Sequence, residues 1–158
     1  MNDEISIPVS LPLDPDGFLR RECPTCEKEF KWFSHGEGDP DAEQVDQYFC
    51  PRCGAPAGLE SWWTPAQLDY VHGEAAPAID DYINDALDDM FKGIKSNKFV
   101  KVERTGRFSS DTPAPEPLHE ENDMVIVESP CHPNEPLKVP ETVTDRVHCL
   151  ICGSPFAV

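Results

Sequence analysis

Cys23-Pro24-Thr25-Cys26 and Cys50-Pro51-Arg52-Cys53-Gly54 decide the reading of this chain. They are two Cys-x2-Cys pairs, separated by the 23 residues from Glu27 to Phe49. Each pair can set two sulfurs on one metal ion, and four cysteines make the closed tetrahedral shell of a structural zinc site. Gly54 accepts the left-handed turn that aims backbone N–H groups at the sulfurs. Cys23, Cys26, Cys50 and Cys53 are the expected ligands of a first site.

The C-terminus repeats this pattern in damaged form. Cys149-Leu150-Ile151-Cys152-Gly153-Ser154-Pro155 matches Cys50-Pro51-Arg52-Cys53-Gly54-Ala55-Pro56. Upstream, Cys131-His132-Pro133-Asn134 lies over Cys23-Pro24-Thr25-Cys26, so Asn134 stands where a thiolate stood. A histidine nitrogen can fill that gap. His132 is preferred to His148, because it restores two ligands from each half. The second site is therefore expected from Cys131, His132, Cys149 and Cys152, with His148 beside it and two Zn2+ per chain.

Composition supports metal as the organiser. Of 158 residues only 39% are hydrophobic and 17 are prolines, thin material for one large core. Seven cysteines, an odd number grouped in pairs, point to metal in a reducing compartment more than to a disulfide framework. No charged leader precedes an apolar run, and no stretch nears the roughly 18 apolar residues of a membrane span. A soluble cytoplasmic protein with no membrane partner is expected.

The middle of the chain reads as helix. Thr64-Pro65-Ala66-Gln67 is an N-cap, a first-turn proline and a capping-box glutamine. Gly73 and Pro77 are expected to break or kink this helix. A second helix is expected from about Pro77 to Lys95, with Ile79, Ile83, Met90 and Ile94 on one face. Fold class is thus α+β: two small zinc-ribbon β modules flanking a central helical segment. The expected division is an extended arm over 1–17, a ribbon over 18–63 and a helical segment over 64–98. A basic strand over 99–108, a flexible linker over 109–123 and a second ribbon over 124–158 complete it.

Charge limits the partners. The formal net charge is -17, which repels phosphate backbones and suits a basic protein. Metal bound by thiolates deepens it. Six of the 13 basic residues nevertheless cluster as Lys92, Lys95, Lys98, Lys101, Arg104 and Arg107, with Glu103 the one acid among them. That run is either paired with acids of the same molecule or a patch for anions or nucleic acid. The aromatics Phe30, Trp32, Phe33, Tyr48 and Phe49 suit packing around the metal better than a base-stacking platform.

The two cysteine modules, with Gly54 and Gly153, resemble the zinc-ribbon class over about residues 18–60 and 124–158. The Cys-Pro-x-Cys pairs also look like rubredoxin, which holds iron; the long acidic loop between them and the second site favour zinc. The resemblance implies structural metal and leaves function open. The chain has no glycine-rich phosphate loop and no G-x-S-x-G, and Cys131 lacks the glutamate motif of zinc deaminases. The expectation is a non-enzymatic zinc-binding adaptor or regulator with a basic protein partner. Nucleic-acid binding through the Lys92–Arg107 run is the alternative.

Overall fold

Strand β1 (Phe18–Glu22) and strand β2 (Glu29–Phe33) pair antiparallel, and in β2 Phe30 and Trp32 share one face while Lys31 lies on the other. The computed structural model describes residues 8–94, 99 and 104–158. Further along come β3 (Gln47–Phe49), β4 (Pro56–Gly58), α1 (Pro65–Lys92), β5 (Val125–Val127), β6 (Leu137–Val139), β7 (Arg146–His148) and β8 (Pro155–Ala157). The mixture is α+β. The expected strand over 99–108, and Lys95, Lys98 and Lys101 of the basic run, lie wholly or partly outside the described residues.

β1, β2, β6 and β5 form one antiparallel sheet in the order β1-β2-β6-β5. The two central strands come from opposite ends of the chain, so both cysteine modules share a single sheet. β3–β4 and β7–β8 are separate two-stranded ribbons, one after each half of the sheet. Leu19, Phe30, Val127, Leu137 and Val139 are buried on one sheet face, with Trp62, Val147 and Leu150 in the same core cluster. Phe30 and Trp62 meet edge to face at 5.8 Å.

The other face buries charge. Lys31 and Lys138 are cross-strand partners, and both are fully buried. Asp14 holds them together: its Oδ2 is 3.3 Å from Lys31 Nζ and 2.7 Å from Lys138 Nζ. Asp14 Oδ1 accepts the N–H groups of Asp16 and Phe18, each at 3.0 Å. Burial would raise this carboxyl, but Lys138, the Phe18 N–H and Lys31 outweigh it and lower it to about 2. Residues 120–123 complete the cover. Glu120 lies 3.0 Å from Lys31 Nζ, Asn122 Oδ1 accepts from Lys138 at 2.9 Å, and Arg20 pairs with Glu120 and Asp123.

The arrangement has a pseudo-two-fold axis between β2 and β6. Leu19 pairs with Trp32 as Val125 pairs with Val139, and Lys31 faces Lys138 on the axis. The second turn between strands is one residue longer than the first, so an ungapped alignment of the two halves does not hold: Arg21 pairs with Phe30, and the equivalent Val127 pairs with Leu137. Counting from β5, Val127 matches Arg21, Ser129 matches Cys23 and His132 matches Cys26. His132, not Asn134, therefore occupies the position of Cys26.

The chain divides into two units: residues 11–68 with 118–158, and 69–117 with the described part of 1–10. α1 is continuous from Pro65 to Lys92 across Gly73 and Pro77, where a break or kink is expected, so one helix stands in place of the two expected. Pro77 costs one backbone hydrogen bond in a 28-residue helix, and the remaining ladder carries it. Gly73 serves close approach instead: a Cβ there would stand 2.9 Å from Pro115. The helix start matches expectation, with Thr64 N–H donating to Gln67 Oε1 and Gln67 N–H to Thr64 Oγ1, both at 3.1 Å. In the helical unit the buried Asn84 clasps Phe108, donating to its carbonyl at 2.9 Å and accepting its N–H at 2.7 Å.

Candidate metal centres

Three of the cysteine turns repeat one backbone device. Glu27 N–H donates to the Cys23 carbonyl at 2.9 Å, Gly54 N–H to Cys50 at 2.8 Å and Gly153 N–H to Cys149 at 2.9 Å. All three donors have positive φ: 59° at Glu27, 79° at Gly54 and 74° at Gly153. The glycines adopt that conformation without strain; Glu27 does so at some cost. The turns tilt further N–H groups onto sulfur. Thr25 and Cys26 donate to Cys23 Sγ at 3.3 and 3.4 Å, and Arg52 and Cys53 donate to Cys50 Sγ at the same distances.

These turns bring Cys23, Cys26, Cys50 and Cys53 into one tetrad. Cys23 and Cys53 sulfurs are 3.7 Å apart, and those of Cys26 and Cys50 are 3.8 Å apart. A tetrahedron with metal–sulfur bonds of about 2.3 Å has edges of about 3.8 Å, so the donor set fits zinc. Cys23 and Cys50 are buried and Cys53 is exposed. Burial would raise the Cys23 thiol, but the Cys26 and Thr25 N–H groups outweigh it and hold the thiol below its ordinary range. Burial raises Cys50 and Cys26.

Cys131, His132, Cys149 and Cys152 form the second tetrad. Its contacts copy the first: Cys131 and Cys152 sulfurs lie 3.3 Å apart, and His132 Nδ1 lies 3.4 Å from Cys149 Sγ. With metal bonds of about 2.3 Å to sulfur and about 2.0 Å to nitrogen, the mixed edge is about 3.5 Å. The histidine nitrogen thus stands where a fourth donor to a metal would be needed. Cys131 reaches it from a place shifted by two residues, because the position of Cys23 holds buried Ser129, whose Oγ is 3.0 Å from Cys131 Sγ. Cys131 and Cys152 are both exposed. The Ser154 hydroxyl outweighs burial and, with the Ser154 N–H, draws the Cys152 thiol down to about 6.

The tetrads are interlocked by the same symmetry as the sheet. Phe49 N–H donates to the Leu150 carbonyl at 2.8 Å, and His148 N–H donates to the Pro51 carbonyl at 2.9 Å. Phe49 packs over Gly153 and His148 over Gly54, so closely that a Cβ would meet the rings at 2.7 and 3.0 Å. His148 Nδ1 donates to the Gly153 carbonyl at 3.1 Å, which gives it a packing role beside the second tetrad.

The basic run is not gathered into a free patch among the described residues. Arg104 donates to Asp88 Oδ1 at 2.5 Å and to the Asn84 carbonyl at 3.1 Å. Lys92 lies 3.7 Å from Asp89, and Arg107 lies 3.9 Å from Asp81, both pairs exposed. Among the described residues no helix is long and apolar enough to cross a membrane. No protein-family model matches the chain, and neither a curated protein nor a solved structure is found similar to it.

Proposed function

We propose that this is a zinc-binding, non-enzymatic adaptor of the cytoplasm, whose two zinc-ribbon modules are set by structural zinc and which docks a basic protein. One observation carries the reading: each tetrad offers four protein donors. A catalytic zinc keeps one position for water or substrate, and a closed shell of four has none to offer. The two ions then supply folding energy, an apparent ~10–16 kcal/mol each. The net charge of -17 supports a basic partner. The pairing of Lys92, Arg104 and Arg107 with acids of α1 weighs against nucleic acid.

Two measurements test this. Metal analysis of protein purified without added metal should find two zinc ions per chain. A pull-down from native cells should recover a basic protein whose binding survives nuclease. One zinc per chain, or capture of nucleic acid with steep loss in salt, overturns the corresponding half of the reading.

A further inference from the structure

A cavity of about 310 Å³ lies at the end of β2, bounded by the loop over residues 34–46, by β3 and by Glu135. That size is at the low end for ligand sites, enough for one long side chain. Trp32, Tyr48 and Leu59 line it, with the Trp32 and Tyr48 rings 4.8 Å apart. Glu43 and Glu135 bring two carboxylates to the same lining.

Glu135 is the unusual member. Its side chain is only 7% exposed. Oε1 accepts the Glu43 N–H at 3.0 Å and stands 3.0 Å from His35 Nε2. His35 also bonds through Nδ1 to Asp39 Oδ2 at 2.9 Å, so one imidazole is shared between two acids. The field of Glu135 reaches the aromatic wall: burial, then this carboxylate, raises the Tyr48 phenol. A half-open cavity with aromatic walls and the carboxylates of Glu43 and Glu135 in its lining suits an organic cation. Arg21 already stands 4.5 Å from the centre of the Trp32 ring, so the Tyr48 ring and the free Trp32 surface attract the incoming cation and the carboxylates pair with it.

We propose that this pocket receives the charged end of an arginine or lysine side chain presented by the basic partner. The proposal rests on the adaptor reading above and adds to it where the partner is read. A guanidinium suits the site better than an ammonium, since it is planar, stacks on aromatic faces and loses water more readily.

The test uses the full zinc-loaded chain and three small amides: N-acetyl-arginine amide, N-acetyl-lysine amide and N-acetyl-citrulline amide. Citrulline keeps the shape of arginine and lacks its charge. Binding is read from amide and indole NMR shifts. The expected result is saturable shifts centred on Trp32, Tyr48 and Glu135 for the arginine amide, weaker ones for lysine and none for citrulline. Glu135→Gln should weaken arginine binding about tenfold or more, as loss of a charge-assisted hydrogen bond does. Because Glu135 also anchors the loop, exposed Glu43→Gln gives the second variant, with a smaller loss expected and native shifts elsewhere. Citrulline shifting the same resonances, or arginine shifting none of them, overturns the proposal. The adaptor reading fails separately, in the pull-down. A recovered basic partner that binds Glu43→Gln and Glu135→Gln as tightly as the parent chain would sink the pocket alone.

Discussion

Replacing Asp14 by asparagine removes one charge and almost no volume. The amide oxygen can still accept the Asp16 and Phe18 N–H groups now bonded to Oδ1. The side lost is Oδ2, the acceptor for Lys138 at 2.7 Å and Lys31 at 3.3 Å. Both ammonium groups are buried, so neither can turn to water. Removing one partner of a buried ion pair costs about 3–5 kcal/mol. The shifted carboxyl gives a second figure: lowering it from 3.8 to about 2 corresponds to about 2.5 kcal/mol at neutral pH. The two bracket an expected loss of about 2–5 kcal/mol, a large part of the stability of a small domain. Urea unfolding of zinc-loaded protein at pH 7, followed by tryptophan fluorescence, measures it. Since the folded value is depressed, the contribution is present above the ordinary carboxylate range and lost as pH falls towards 2. The gap between the two proteins should therefore close in acid. In a double-mutant cycle, Lys138→Met should soften the loss, because it removes one of the two buried ammonium groups that Asp14 offsets; the other keeps Glu120. An asparagine variant within about 0.5 kcal/mol of the parent at pH 7 would refute the claim that this carboxylate holds the lysines.

Three further outcomes follow from the metal centres. His132→Ala should lower bound zinc from two ions per chain towards one, whereas His132→Cys should retain both, as metal analysis after gel filtration will read; two ions retained in the alanine variant would remove His132 from the tetrad. Removal of zinc by a chromophoric chelator should be led by the second site, with its exposed Cys131 and Cys152, and Cys149→Ser should abolish that leading step. Gly153→Ala, which combines φ of 74° with a Cβ 2.7 Å from the Phe49 ring, should destabilise by about 2–4 kcal/mol in urea. Gly38→Ala has similar φ and nothing within 4 Å, so its loss should be about 1 kcal/mol; equal effects would show that contact with Phe49 is unimportant.

Local chemistry was legible in the sequence, and long-range pairing was not. Cysteine spacing, the positive-φ glycines and the Thr64–Gln67 capping box each depend on residues a few positions apart, and each forms as expected. Joining β2 to β6 depends on partners more than a hundred residues apart, and nothing local marks it. The burial of Lys31 and Lys138 needs Asp14 and residues 120–123, which composition presents as a loop. His35 has Asp39 four residues on as a visible partner, but Glu135 reaches it only through the shared sheet. The ungapped match of the two halves hid a one-residue insertion in the second turn that only strand register exposes, and with it the equivalence of His132 and Cys26.

Phe49 and His148 each donate a backbone hydrogen bond into the opposite cysteine turn. Occupying either tetrad therefore orders part of the other, and ions should enter cooperatively: the first bears most of the ordering entropy and the second finds its cradle half built. The thermodynamic coupling is reciprocal, so a zinc titration of the apo chain should be steeper than two independent sites allow. Partial metal starvation would then yield a mixture of fully loaded and empty molecules, with few carrying a single ion.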